Sequence, residues 1–246
     1  MNMRSFFNKE KEHELKPCTK IVVASGSSSA GISFVSEIIA LGLHKIGSVS
    51  LVELGKPYFY NAYNFEKAFF SRGFNDFFEK IRKGERISNL ERNEFEKVNW
   101  LVRKPEDLEK LSPQQLFRSL YAPKDEYCVF DCSGLDMESS INLLAEADIP
   151  IAVIDPLPTK LIESRDFLEK LKICLPKAIL LVNKMNNGVH RAELTRYLGT
   201  KEFFSMPSVP MEYIYKAEYN CLPISGLSET SQILGNAQDM LYRLFQ

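Results

Sequence analysis

Short runs of continuously apolar residues recur along the chain, each followed by a longer stretch with helical spacing. Lys20–Ser25 (KIVVAS), Ser48–Glu53 (SVSLVE), Val98–Arg103 (VNWLVR), Tyr127–Asp131 (YCVFD), Ile149–Ile154 (IPIAVI), Ala178–Val182 (AILLV) and Phe203–Met206 are the runs. Continuous Val/Ile-rich runs of this length are buried on both faces, as in parallel sheets, where alternating patterns would mark a half-solvated sheet. Helical patterns fall between them at about 31–44, 61–83, 105–121, 137–147, 159–174, 190–198, 211–220 and 228–245. The alternation predicts an α/β fold: a doubly wound, mostly parallel sheet flanked by helices in three layers. With 246 residues and no linker or repeat, residues 19–246 are expected to form a single domain behind a charged arm, 1–18.

Composition narrows the function. A net charge of −1 gives no global basic field to draw the chain to nucleic acid or anionic lipid. No apolar run is long enough to span a bilayer, and the N-terminus lacks the apolar core of a secretory signal. Five cysteines without a CxxC read as reduced thiols packed as small hydrophobes in a cytoplasmic protein. The three histidines match no zinc or nucleophile–base spacing.

In doubly wound sheets ligands sit at the carboxyl ends of the strands. The first run leads into Gly26-Ser27-Ser28-Ser29-Ala30-Gly31-Ile32-Ser33 and then an apolar helix. Small residues between a buried strand and a helix let backbone N–H groups turn toward an anion at the helix start. A tight strand–helix turn without a ligand uses the same residues, so the loop alone leaves both readings open.

The segment IVVASGSSSAGIS resembles the deviant phosphate loop of the MinD/ParA ATPases, G-K-G-G-V-G-K-T after a strand. On that pattern Gly26 and Gly31 keep the glycines and Ser33 keeps the hydroxyl that would bind Mg²⁺. Ser27 stands where the family's signature lysine crosses a dimer, and Ile32 where the Walker lysine belongs. Ser28, Ser29 and Ala30 complete the loop. Further on, Leu51–Gly55 resembles the strand ending in D-x-D, with Glu53 for the first acid and Gly55 for the second. Val129–Gly134 with Asp131, Asp155–Thr159, Leu180–Lys184 with Asn183 near the adenine, and Met206–Pro223 resemble the later motifs. The resemblance covers roughly residues 20–245, and the stretch from 55 to 97 does not match.

The resemblance implies a nucleotide site at Gly26, Ser28, Ser29, Ala30, Gly31, Ile32, Ser33 and Asn183, with Ser33, Glu53 and Asp131 on the Mg²⁺ side if Mg-nucleotide binds. Phosphoryl transfer depends on positioned positive charge, and each lysine–phosphate contact is worth about 1.5–3 kcal/mol. With Ser27, Ile32 and Gly55 in place of two lysines and an acid, the expectation is a pseudo-ATPase. It requires no cofactor, binds ATP/Mg weakly if at all, and has no catalytic residues. It would act through protein partners in positioning or assembly, as a homodimer, like the atypical TadZ/CpaE members. A slow ATPase and a DNA-binding partition factor are the alternatives. The latter would use residues 160–201, which carry nine Lys/Arg against four Asp/Glu. Phe65, Phe69, Phe70, Phe74, Phe77, Phe78 and Ile81 crowd one stretch that either closes the core or forms an interface.

Overall fold

The computed structural model describes residues 18–85, 87, 92–230 and 233–235. Its first strand, β1 (Thr19–Ala24), runs through the loop into α1 (Ile32–Leu43) and β2 (Val49–Glu53). Three short helices follow, α2 (Phe59–Ala62), α3 (Phe65–Ala68) and α4 (Phe77–Lys83), then β3 (Glu94–Phe95), β4 (Val98–Leu101) and α5 (Pro113–Tyr121). The remainder alternates regularly: β5 (Tyr127–Asp131), α6 (Met137–Ala145), β6 (Ile149–Ile154), α7 (Pro158–Glu163), α8 (Arg165–Cys174), β7 (Ile179–Met185), α9 (Arg191–Leu198), β8 (Phe204–Pro207) and α10 (Met211–Tyr219). A 3₁₀ turn, Ile224–Gly226, comes after α10.

One sheet holds every described strand, in the order β3-β4-β2-β5-β1-β6-β7-β8. All neighbours pair in parallel except β3, which lies antiparallel on β4 at the edge. The doubly wound expectation therefore holds, and each apolar run became a strand. β3 was not expected, because two residues carry no periodicity. Two apolar clusters cover the two sheet faces. One gathers Ile21, Val23, Leu51, Val129 and the inner side of α1. The other gathers Val22, Val52, Phe130, Ile154 and the inner sides of α4 to α9.

The long helical patterns broke where the backbone had local reasons to turn. The 61–83 stretch bends at Asn64 (φ 49°) and Gly73 (φ 75°), and Asp76 caps α4 through the amide of Glu79 at 2.9 Å. In 105–121 the helix starts only at Pro113, set by a capping box between Ser112 and Gln115. In 159–174 Ser164 separates α7 from α8. The Phe-rich stretch is core. Phe59, Phe65 and Phe69 pack into one cluster, Phe77, Phe78 and Ile81 into the other, so the chain wraps the β4 edge from face to face. Phe70 alone of these rings is 88% exposed. All but the last residue of the expected charged arm, 1–18, and most of the helical pattern at 228–245 lie outside the described residues. Leu234, within that pattern, is buried.

Register brings the chemistry together. Val23 and Glu53 both pair with Asp131, so the ends of β1, β2 and β5 converge on one rim of the sheet. The loop of residues 25–31 leaves β1 at that rim, where the strand order doubles back, as ligand sites in open sheets do.

Candidate functional site

A cavity of about 700 Å³ opens at this rim, lined by residues 25–34 of the loop, 56–58 after β2, and 132–135 and 137 after β5. Two glycines fix the loop's path. Gly31, at φ 91°, ends the loop as the residue preceding α1, and a Cβ there would fall 2.3 Å from Nδ2 of Asn183. A Cβ at Gly26 would fall 2.4 Å from Cβ of Phe167. Both glycines are therefore demanded by close approach of neighbouring elements, whatever the loop binds.

The sequence-predicted residues meet here, though several do other work than expected. Ser33 lies beside Ser133, Oγ to Oγ 3.2 Å, and the Ser133 amide donates to Oδ1 of Asp131 at 2.7 Å. Asp131 is fully buried, and among the described residues its Oδ2 has no hydrogen-bond partner. Burial raises its carboxyl above the ordinary range, against the Ser33 and Ser133 groups. Glu53 turns away from the cavity. Its Oε1 accepts from the amides of Tyr58 (2.8 Å) and Phe59 (3.0 Å), and its Oε2 from the amide of Arg103 (3.0 Å). Burial, then the nearby Asp131, push its carboxyl up to about 8. Asn183 is buried and donates from Nδ2 to the Ala30 carbonyl at 3.0 Å, bracing the loop from beneath.

Ile32 does not fill the cavity. Its side chain is buried in the apolar cluster under α1 and meets the cavity only as part of the lining. Ser27 is buried too, its hydroxyl without a partner among the described residues, so nothing at position 27 extends outward from the loop. At Gly55 a Cβ would fall 1.9 Å from the Ser133 carbonyl oxygen. The missing second acid is thus sterically excluded by the way the β2 and β5 loops pack, with the Lys56 amide bonded to that same carbonyl at 2.8 Å.

Five charged residues surround the loop, and three of them, Lys56, Lys160 and Glu163, belong to no motif that the sequence reading quoted. The Ser28 amide donates to Oε1 of Glu163 at 2.6 Å. Lys160 Nζ reaches Ser28 Oγ at 2.7 Å and Glu163 Oε2 at 2.6 Å. These contacts, Lys160 first, hold the Glu163 carboxyl down at about 2. Lys184 Nζ donates to the Ser29 carbonyl at 2.6 Å and pairs with Asp155 at 2.7 Å. Exposed Lys56 stands at the cavity rim. Part of the loop's anion-binding capacity is already met by a carboxylate of the chain itself. Lys184 and Asp155 had a signal in the sequence, in the Leu180–Lys184 and Asp155–Thr159 motifs. The contacts of α7 span more than a hundred residues.

No family model and no curated protein sequence matches the chain. Solved structures do. A ParA family ATPase from Chlorobium tepidum TLS superposes with a TM-score of 0.74 at 13% identity, covering 92% of this chain and 98% of that one. The fold is that of the MinD and ParA ATPases. The MinD cell division protein of Aquifex aeolicus gives 0.68 at 14% identity, covering 93% of this chain and 97% of its own. A putative plasmid partition protein of Borrelia burgdorferi B31, bound to AMPPNP, gives 0.64 at 18% identity, with 93% and 98% covered. At these identities the likeness is one of fold. The loop of residues 25–31 occupies the strand-to-helix position that the sequence resemblance assigned to the phosphate loop. Among the described residues no helix is long and apolar enough to cross a membrane, and no His/Cys/Asp/Glu cluster could hold a metal.

Proposed function

We propose that this chain is a non-catalytic protein of MinD/ParA type that works in the cytoplasm through protein partners, in positioning or assembly, rather than by turning over ATP. The observation that carries the reading is the Glu163 carboxylate on the Ser28 amide, at the loop of a fold that elsewhere holds phosphate. Ser27 and Ile32 are both buried, so the loop offers no cation of its own, and Gly55 leaves no room for an acid to orient water. Exposed apolar side chains next to the site supply contact surface. Leu157 and Ile162 flank Lys160 and Glu163 around α7, and Met211, Tyr215 and Tyr219 form an i, i+4, i+8 row along α10.

Mg-ATP is expected to bind no more tightly than about 0.1 mM, measured by calorimetry, without steady phosphate release. In Glu163→Gln the competing charge is gone while Lys160 remains, so affinity for Mg-ATP should rise, by about tenfold at most. Micromolar affinity in the unmodified protein, or phosphate release that disappears in Asp131→Ala, would sink the proposal. A slow ATPase is the second reading. Lys160 is its basis, as a cation delivered to the loop from α7. A DNA-binding face on 160–201 gains less support, because Lys160, Arg165 and Lys184 are neutralised in ion pairs.

A homodimer on this reading is held by side chains and not by shared nucleotide, since Ser27 is turned inward. The Phe-rich stretch is spent on the core, so the apolar area must come from surfaces such as α7 and α10. Sedimentation should give a dimer whose dissociation constant changes by less than about threefold with Mg-ATP. A monomer that pairs only with ATP would overturn this.

A further inference from the structure

Away from the loop, at the opposite end of the two central strands, Cys18 and Cys128 place their Sγ atoms 2.8 Å apart. Two unbonded sulfurs in van der Waals contact sit farther apart than this, while a disulfide requires about 2.05 Å. Register explains the approach. Lys20 of β1 pairs with Cys128 of β5, so Cys18, two residues earlier, points to the same sheet face and meets Cys128 diagonally. We propose that this pair is a thiol oxidation site, closing to an intramolecular disulfide when a low-molecular-weight disulfide is present.

The two thiols have different environments. Cys18 is half-buried, so solvent reagents reach it, and Lys20 lies close enough to favour its thiolate. Cys128 is buried, its Sγ 3.7 Å from the Asp125 carbonyl. The Cys128 contact is the largest influence holding the Cys18 thiol below its ordinary value, and that same contact, with burial, raises Cys128. Cys18 is then the attacking sulfur. Its thiolate displaces one thiolate from the small disulfide and forms a mixed disulfide. The Cys128 sulfur attacks Cys18 Sγ and expels the second thiolate, which takes up the Cys128 proton. Two protein thiols are oxidised and one external disulfide is reduced to two thiols. The sulfurs need to close by less than about 1 Å, which a side-chain rotation can supply without moving either strand.

The bond would tie strands whose partners are 110 residues apart in sequence, a long loop to close in the unfolded chain. It sits at the start of β1 and β5, far from their cavity ends, so it stiffens the sheet centre while leaving the loop open. None of this depends on the function proposed for the loop.

The test uses the full chain with Cys174→Ser and Cys221→Ser, which remove the other accessible thiols. It is incubated with oxidised glutathione, quenched in acid, alkylated and mapped without reduction. The expected result is a Cys18–Cys128 linked peptide as the main product, and a melting temperature raised by about 5–15 °C over the reduced form. Adding Cys128→Ser should instead leave a stable glutathione adduct on Cys18, and adding Cys18→Ser should abolish both products. A lasting glutathione adduct on Cys18 with Cys128 still free to alkylate, or no reaction at either thiol, would overturn the proposal.

Discussion

Phe65→Ala is expected to remove about 3–5 kcal/mol of stability, while Phe70→Ala changes it by no more than about 0.5 kcal/mol. The two residues lie five apart in the same aromatic stretch. Phe65 is completely buried and touches Tyr60, Tyr63, Phe69, Phe74, Phe95 and Trp100, with ring centroids 5.3–6.3 Å apart. Truncation loses the transfer free energy of a benzyl group. It also leaves a cavity between rings that are fixed from both sides, so little collapse can offset it. Phe70 faces solvent and gives up almost no burial when cut back. Urea unfolding of the two variants at one pH is the measurement. A large loss at Phe70, or a small one at Phe65, would mean that the stretch is an interface after all and that the rings are covered by another molecule.

That pair also marks the limit of what the sequence could say. The strand runs were legible because a central parallel strand must be apolar on both faces, and β1, β2, β5, β6 and β7 are. The loop's place was legible because only small residues fit between β1 and α1 when Phe167 and Asn183 approach Gly26 and Gly31. Ser33 and Asp131 came together because Val23 of β1 pairs with Asp131 and the chain runs from β1 through the loop straight into α1. What periodicity could not give was direction. The same helical spacing fits Phe65 and Phe70, and turns at Asn64 and Gly73 decide which one faces inward. Nor could it give Lys160 and Glu163. Their pairing with Ser28 depends on α7 lying against a loop more than 130 residues earlier. Ile32 could be placed at the lysine's position by alignment, but whether it blocked the cavity or joined the core required the packing under α1. Gly55 read as a lost acid. The Ser133 carbonyl shows that no side chain fits there.

Stability is expected to fall as pH rises from about 5 to 8, and Glu37→Gln is expected to flatten that fall. Glu37 lies on the inner face of α1, almost wholly buried. Its Oε1 accepts from the Ile224 amide at 3.2 Å, and the Tyr63 hydroxyl also bonds to it. Burial outweighs these bonds and pushes the carboxyl up to about 7, from 4.5 in the unfolded chain. Between those values the folded state holds a proton that the unfolded state has released, so raising the pH favours unfolding. This contribution is fully present below about 4.5 and is lost by the time the pH has passed 7. For Glu37 alone the change is on the order of 2–3 kcal/mol. Glu53 titrates in the same sense up to about 8, so wild-type protein should keep losing stability past neutrality. Glutamine at 37 cannot ionise, and its carbonyl still accepts from Ile224 and Tyr63, so the variant should be the more stable protein at pH 8 by roughly 2 kcal/mol. Glutamine at 53 should behave differently. The Glu53 oxygens accept three backbone N–H groups, and a side-chain amide can offer only one oxygen, leaving its NH₂ against the Arg103 or the Tyr58 and Phe59 donors. Glu53→Gln should therefore cost about 1–3 kcal/mol at pH 5, where Glu37→Gln is nearly silent. Urea midpoints of the three proteins at pH 5 and pH 8 separate these cases. Parallel pH profiles for wild type and Glu37→Gln would show that Glu37 is ionised in the folded protein, and the account of a protonated acid under α1 would fall.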